Sequence, residues 1–337
     1  MITIKKPIRV SVALLIIILS IFIIIPRENK VEDNPMRTRP LLIAHGGGNK
    51  EFPDNTLEAF YNAYSVDPNF MIETDVSITK DGVIILSHDI TLDRKTNLKN
   101  AYIHEVNYSD LVEGEVDFGY ENIVNKEGIR ETDTLVRYTN YLGNHVTPLD
   151  VLYPEGVLPR HNSKFLVTTL EELIISFPNN LINVEIKQSG EIGLKALDAV
   201  IKLLDDLDEE YNTYSRIILA SFHKEIYQEF KKLKAKTHPE LLFSPEQNGV
   251  IKFFLMQQFG LDLFFTDKIA VFQLPSIFLV NNKGFIYAAH RHNIAVHFWT
   301  IDDEEEMRFL INQGADGIMT NRPTLLKKVY DELNIGS

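Results

Sequence analysis

The chain has 337 residues, of which 45% are apolar and 24% charged, so its composition is that of an ordinary globular protein with one large or two ordinary domains. Its net charge of −13 argues against nucleic acid as a partner, because the surface repels polyanions at long range. Cysteine is absent, which excludes disulfides, thiolate zinc sites, cysteine nucleophiles and a lipid-modified cysteine anchor.

The basic residues are unevenly distributed. Residues 1–39 hold seven Lys or Arg against three acids, a net +4, so the remaining chain carries about −17. An anionic substrate would therefore need a cation bound at the site itself.

An uncharged run of about sixteen residues, 10–25, follows a basic segment, 1–9. A helix of this length spans about 24 Å, and snorkelling of the flanking cations brings it close to the thickness of a bilayer core. The pattern predicts a single-pass transmembrane signal anchor at the cell membrane, with 1–9 cytoplasmic and the body extracytoplasmic. A cleaved signal peptide is the alternative, although no small-x-small site follows Ile25. Residues 26–39 are polar and aperiodic, as in a linker.

Beyond residue 40, short apolar runs alternate with helical patterns. This alternation predicts an α/β fold with a parallel sheet, and eight strands suggest a (β/α)₈ TIM barrel over 40–337. The segment 98–166 lacks periodicity and is expected to be an insertion or lid after the third strand. The barrel strands are predicted at 41–45, 71–76, 83–88, 181–187, 216–222, 241–244, 294–300 and 316–320, with an extra extended piece at 268–274.

Active sites of such barrels lie at the carboxyl ends of the strands. The residues that fall there are chemically suited to catalysis: His45, Glu73, Asp75, His88, Glu185, Lys187 and Trp299.

Three carboxylates are the candidate metal ligands. Glu73 and Asp75 alternate along one strand and so share a face, and Glu185 ends another strand. Carboxylates crowded inside a barrel need a cation between them, and three oxygen ligands favour Mg²⁺ or Ca²⁺ over zinc. The alternative is a structural ion-pair cluster with Lys187.

His45 and His88 are the candidate acid and base. Phosphoryl transfer needs a base for the attacking oxygen and an acid for the leaving oxygen, and imidazoles can serve both roles near neutral pH. Lys187 could pair with a phosphate oxygen. Trp299 is expected either to contact the substrate or to lie in the core, and His297 on the same strand face is expected to be structural.

These residues carry a family resemblance, in blocks that span residues 41–323. The chain resembles the glycerophosphodiester phosphodiesterase family, which implies a TIM barrel, a divalent cation, and hydrolysis of glycerophosphodiesters to glycerol 3-phosphate and an alcohol. By position, Glu73, Asp75 and Glu185 match the metal ligands, His45 and His88 the acid–base pair, and Lys187 a phosphate-side lysine. The blocks are His45-Gly, Pro53-Asp54-Asn55-Thr56, Glu73-Thr74-Asp75-Val76, Thr79-Lys80-Asp81-Gly82, His88-Asp89, Leu92-Asp93-Arg94, Thr169-Leu170-Glu171-Glu172, Glu185-Ile186-Lys187, Trp299-Thr300 and Gly314 to Pro323.

The chain departs from the family at the position after the first histidine, where Gly46 replaces the usual arginine. We expect the amides of residues 46–48 to form an anion-binding nest, with Gly46 and Gly47 contacting substrate, or Arg94 or Arg291 to supply the charge. A flexible turn with weaker binding is the alternative. Asp54, Asp302 and Asn321 also replace the family's usual residues.

The expected substrate is a small or lipid-derived phosphodiester. Two further interpretations stay open from the residues. One is a lysophospholipase D-like enzyme or one acting on a wall polymer, which a large apolar groove beside the metal would favour. The other is a barrel that binds glycerophosphate groups without turnover.

Overall fold

The computed structural model describes residues 11–14, 27, 31–37 and 40–335. The strands are β1 (Leu41–His45), β2 (Met71–Ile78), β3 (Ile84–Leu86), β4 (Ile182–Ile186), β5 (Ile217–Ala220), β6 (Leu242–Phe243), β7 (Val271–Pro275), β8 (Ala295–Trp299) and β9 (Gly317–Thr320). The α-helices within residues 40–335 are α1 (Leu57–Val66), α2 (Tyr108–Glu113), α3 (Leu170–Ser176), α4 (Gly190–Tyr211), α5 (Thr213–Arg216), α6 (Lys224–Lys236), α7 (Gln247–Gln258), α8 (Lys283–Arg291), α9 (Glu304–Gln313) and α10 (Pro323–Glu332).

Eight of the strands are parallel and form a nearly closed barrel in the order β6-β5-β4-β2-β1-β9-β8-β7. The two end strands approach each other where the Ala270 amide donates to the Phe243 carbonyl at 3.1 Å. The barrel is consistent with the TIM architecture predicted from the alternation of strands and helices.

One predicted barrel strand is wrong. The run at 83–88 forms β3, which pairs antiparallel with β2 in a hairpin, and the barrel strand missing from the prediction is β7. The physical reason is loop length. Only residues 79–83 separate β2 from β3, whereas a parallel crossover needs about a dozen or more residues. The left-handed φ of +86° at Gly82 helps to reverse the chain there.

Side-chain alternation along the strands separates the barrel interior from the layer beneath the helices. Odd-numbered positions of β1, β2, β8 and β9 point inward, and a compact apolar cluster fills the lower interior: Leu41, Ile43, Met71, Ile218, Leu242, Val271, Ala295 and Met319. The same alternation carries the polar residues at the upper strand ends into the barrel mouth.

The lower end of the barrel is closed by residues from the N-terminal segment. Met36 is fully buried in the interior cluster, and its carbonyl accepts a hydrogen bond from His297 Nε2 at 3.3 Å. Asn34 donates to the carbonyls of Ala270 and Asn293. Asn34 and Met36 of the predicted linker 26–39 therefore pack against the lower end of the barrel.

The predicted transmembrane run 10–25 lies outside the described residues except for 11–14. Among the residues that the structure describes, no helix has the length and apolar character needed to cross a bilayer.

The insertion 98–166 contains short helical turns and isolated bridges instead of long elements. Asp93 organises it, because its carboxylate accepts hydrogen bonds from the amides of Asn100, Ala101 and Arg130. The Tyr138 hydroxyl donates to the Asn49 carbonyl at 2.7 Å, which packs the insertion against the turn after β1.

Candidate active site

A cluster of three carboxylates lies at the mouth of the barrel. Glu73 and Asp75 alternate on β2, and Glu185 lies directly beside Asp75 on the neighbouring β4. One carboxylate oxygen from each residue lies within 4.8 Å of the others. The structure therefore brings together the three acids that the sequence selected as metal ligands.

The three carboxylates are buried close together, so it is costly for all of them to be ionised at once. Burial and the Asp75 carboxylate raise the pKa of Glu73 to about 7, and burial also raises the pKa of Glu185. The Lys187 ammonium contacts Asp75 at 3.2 Å and Glu185 at 2.9 Å, and it holds the pKa of Asp75 below its usual range against the effect of burial. Three crowded carboxylate oxygen donors fit a hard divalent cation, which would relieve their mutual repulsion.

His45 lies at the end of β1 beside the carboxylates, and the side-chain amide of Asn321 orients its ring. Its Nδ1 lies 2.7 Å from Asn321 Oδ1, while Asn321 Nδ2 donates to Asp302 at 2.9 Å. Because the amide oxygen accepts, Nδ1 of His45 carries the proton and Nε2 faces Glu73 Oε2 at 3.9 Å. Burial opposes protonation, but the Glu73 and Asp75 carboxylates prevail and raise the pKa of His45.

His88 lies on the loop after β3 with its side chain about half exposed. Its Nδ1 lies 3.2 Å from Asp89, and this hydrogen bond raises the pKa of His88. Arg94 donates to Asp89 and also pairs with Asp54 at 3.0 Å. Arg94 therefore holds the Asp89 carboxylate that contacts His88. Arg291 ends α8 just before β8 begins, whereas Trp299 lies at the other end of β8.

Asn55 is a site residue that the sequence analysis named only as part of the block Pro53-Asp54-Asn55-Thr56. Its Nδ2 donates to Asp75 Oδ2 at 3.0 Å, and its Oδ1 accepts from the Asp75 amide at 3.1 Å and from the Thr74 hydroxyl. The next residue, Thr56, caps α1, and its side chain accepts a hydrogen bond from the Ala59 amide. Asn55 thus holds the carboxylate of Asp75 in place. The only sequence signal for this role is that an Asn directly precedes the residue that caps α1.

The glycine turn after β1 supports the cluster. The Gly46 amide donates to Glu73 Oε2 at 3.0 Å, the Gly47 amide to the Ala44 carbonyl, and the Gly48 amide to the His45 carbonyl. All three amides thus have acceptors within the protein. A substrate contact at Gly46 and Gly47 stays a prediction.

These side chains surround a cavity of about 210 Å³. Lys187 and Trp299 both line it, and the Trp299 ring packs edge-on against Phe222 with centroids 6.0 Å apart. Its described lining comes from barrel strands and strand-end loops, with no contribution from 98–166: His45, Glu73, His88, Asn183, Glu185, Lys187, Ala220, Ser221, Phe222, Ser244, Pro245, Gln273, Trp299, Thr300 and Met319.

The sequence of this chain is similar to those of known phosphodiesterases. A sequence model of the Glycerophosphoryl diester phosphodiesterase family matches residues 45–325. A glycerophosphodiester phosphodiesterase of Caldanaerobacter subterraneus is 25% identical over 86% of this chain and 96% of its own length. A human lysophospholipase D is 24% identical over 85% of this chain and 84% of its own length.

Solved structures show the same fold. An Oleispira antarctica phosphodiesterase in complex with the product sn-glycerol-3-phosphate has a TM-score of 0.59 at 20% identity, covering 87% of this chain and 97% of that one. A glycerophosphodiester phosphodiesterase from Thermotoga maritima has a TM-score of 0.55 at 21% identity, over 86% and 98% of the two chains.

Proposed function

The chain belongs to the glycerophosphoryl diester phosphodiesterase family and is an enzyme of that class, and from this premise we propose a metal-dependent hydrolysis assisted by two histidines. The products are glycerol 3-phosphate and an alcohol. The observation that carries the proposal is a cluster of three carboxylates, two of which line one cavity together with two imidazoles.

Glu73, Asp75 and Glu185 would hold Mg²⁺ or Ca²⁺. When bound, such a cation supplies positive charge for the phosphoryl oxygens. Asn55 and the Gly46 amide keep two of the carboxylates in place. Lys187 neutralises part of the cluster and is positioned to pair with a phosphate oxygen.

His45 and His88 would exchange protons on opposite sides of the phosphorus. One imidazole accepts the proton of the attacking hydroxyl as its oxygen bonds to phosphorus. The P–O bond to the leaving alcohol breaks, and the other imidazole protonates the departing alkoxide. The attacking hydroxyl can belong to water or to the 2-position of the substrate glycerol. In the second case the alcohol leaves first, and water then opens the resulting cyclic phosphate to glycerol 3-phosphate. Trapping a cyclic phosphate in a short incubation identifies the second route.

The test is hydrolysis of glycerophosphocholine with Mg²⁺ or Ca²⁺, with and without a chelator. We expect the chelator to abolish turnover, and His45→Asn and Glu73→Gln each to lower kcat by about 10²–10⁴-fold. His104→Asn and Glu209→Gln, at positions outside the cavity, are the matched controls and should retain activity. Full activity in the chelator, or in either cavity variant, would contradict the proposal.

We also propose that the run 10–25 anchors the enzyme in the cell membrane with the barrel extracytoplasmic. The apolar run and the basic segment before it support this placement. The full chain should then stay in the membrane fraction after an alkaline wash, and external protease should digest the barrel in intact cells. Release of the full chain by the wash would contradict the anchor.

A further inference from the structure

A second cavity, which we call the apolar groove, opens beside the active-site cavity. It has a volume of about 380 Å³, larger than the active-site cavity itself. Its walls come from one face of α7 and from the segment that follows β7. The lining residues are Phe222, Pro245, Gln247, Val250, Ile251, Phe254, Gln273, Leu274, Pro275, Ile277, Leu279, Val280 and Trp299.

The lining of the apolar groove is almost entirely hydrocarbon. Its polar members are Gln247 and Gln273, and the lining includes no charged residue, although the chain as a whole has a net charge of −13. A sugar, a polyol or an ionic head group would lose its water here and find only these two amide side chains as side-chain hydrogen-bond partners among the apolar residues. A hydrocarbon chain loses nothing by leaving water and gains about 0.8 kcal/mol for each methylene buried.

The apolar groove is continuous with the active-site cavity. Phe222, Pro245, Gln273 and Trp299 line both spaces. A single ligand can therefore have its phosphate at the carboxylate cluster and extend past the Trp299 ring into the groove. An occupant of the apolar groove can therefore be part of the substrate.

The groove wall also leaves large apolar side chains open to water. Ile251, Ile277 and Leu279 are 46%, 48% and 53% exposed, and all three line the groove. Adjacent exposed apolar side chains in a concave surface are typical of a ligand site.

We propose that the apolar groove binds the hydrocarbon chain of the substrate, so that the preferred substrates are glycerophosphodiesters carrying one acyl or alkyl chain, as in a lysophospholipid. This inference rests on the proposed phosphodiester hydrolysis and adds a chain-binding subsite to it. Water-soluble glycerophosphodiesters without a chain are the poorer substrates.

The kinetic test uses lysophosphatidylcholines with acyl chains of increasing length, each below its micelle-forming concentration, with glycerophosphocholine as the chain-free reference. We expect kcat/KM to rise up to about fourfold per methylene, the factor that corresponds to about 0.8 kcal/mol, until the groove is full. Hydrolysis of glycerophosphocholine with no gain from the added chain would overturn the inference and leave the proposed function standing.

The matched variants lie one turn apart on α7. Ile251→Glu puts a charge in the groove, whereas Leu255→Glu makes the same change at a residue that is 50% exposed and does not line it. We expect Ile251→Glu to lose the chain-length dependence and to keep hydrolysis of glycerophosphocholine, and Leu255→Glu to keep both. Equal effects of the two substitutions on the chain-length series would contradict the groove assignment.

A binding measurement tests the groove independently of turnover. Trp299 is the chain's one tryptophan, so its fluorescence reports on the junction of the two cavities. In the presence of a chelator, n-alkyl phosphocholines should change this fluorescence with a Kd that falls as the chain lengthens, and Ile251→Glu should remove the trend. A Kd independent of chain length would overturn the inference. So would a dimer in sedimentation that Ile251→Glu disrupts without altering the chain-length series, because the groove would then be an interface between two copies.

Discussion

At the scale of single residues, each histidine of the cavity has a side-chain hydrogen-bond partner at its Nδ1. His88 has a direct carboxylate partner in Asp89, whereas His45 has the amide of Asn321, with the charge of Asp302 one residue further away. A direct carboxylate favours the protonated imidazole more strongly than an amide oxygen does. The two imidazoles thus sit in different electrostatic surroundings, as an acid–base pair requires.

Replacing the carboxylate partner should shift the titration of His88. In Asp89→Asn the hydrogen bond that raises the pKa of His88 loses its charge, so the neutral imidazole is favoured and the pKa falls. We expect the limb of the kcat/KM–pH profile that depends on His88 to move to lower pH, whether His88 acts as acid or base. We expect kcat at neutral pH to fall by about 10-fold because the ring is less firmly oriented.

The measurement is a kcat/KM–pH profile with glycerophosphocholine. Asp110→Asn, a change of the same kind at an exposed residue of α2, is the control. A profile unchanged in Asp89→Asn would show that Asp89 has no electrostatic effect on the reaction.

At the scale of elements, the turn after β1 is a tightly packed support of the cluster. A Cβ at Gly47 would lie 2.6 Å from the Cβ of Ala59 on α1, and its φ is +87°. The turn therefore needs glycine both for its backbone conformation and for the approach of α1.

Substituting this glycine should destabilise the protein through two separate effects. We expect Gly47→Ala to lower the free energy of unfolding by about 2–4 kcal/mol, from the left-handed backbone and from overpacking against Ala59. Gly82→Ala is the matched control, because Gly82 has a φ of +86° with nothing near its Cβ position, and we expect a loss of about 1 kcal/mol. Urea unfolding of both variants provides the comparison. Equal losses of unfolding free energy would show that overpacking against Ala59 contributes nothing.

At the scale of the whole molecule, a fully buried histidine lies inside the lower barrel. His297 contacts Met36 from the N-terminal segment, and its ring lies against Gly317 of β9. Burial lowers the pKa of His297 to about 4, so the folded protein holds this ring neutral.

This neutral histidine makes stability depend on pH. Between pH 6.5 and 4 the unfolded chain binds a proton at this position that the folded protein does not, so stability falls as the pH falls through that window. The loss attributable to His297 should reach about 3 kcal/mol at the lower end. His297→Gln keeps a neutral hydrogen-bond donor at this position. We expect its free energy of unfolding, measured with urea at pH 7, 6 and 5, to depend less on pH than that of the unmodified protein. Parallel curves for the two proteins would contradict the assignment.

The sequence alone determined the parts of this protein that follow from local pattern. Apolar runs alternating with helical spacing predicted the α/β barrel, and the period of two along β2 placed Glu73 and Asp75 on one face. The position of His45, Glu185 and Trp299 at strand ends selected them as site residues, because the barrel brings strand ends together.

The tertiary structure decided what depends on contacts between distant segments. The run at 83–88 has the composition of a barrel strand, but it pairs antiparallel with β2 and forms a hairpin. The eighth strand of the barrel is therefore β7. The partners of Asn55 and Asn321 depend on where an amide points, which a sequence pattern does not encode. The apolar groove likewise arises where α7 meets the segment after β7, because a cavity is a property of packed surfaces and not of either segment alone.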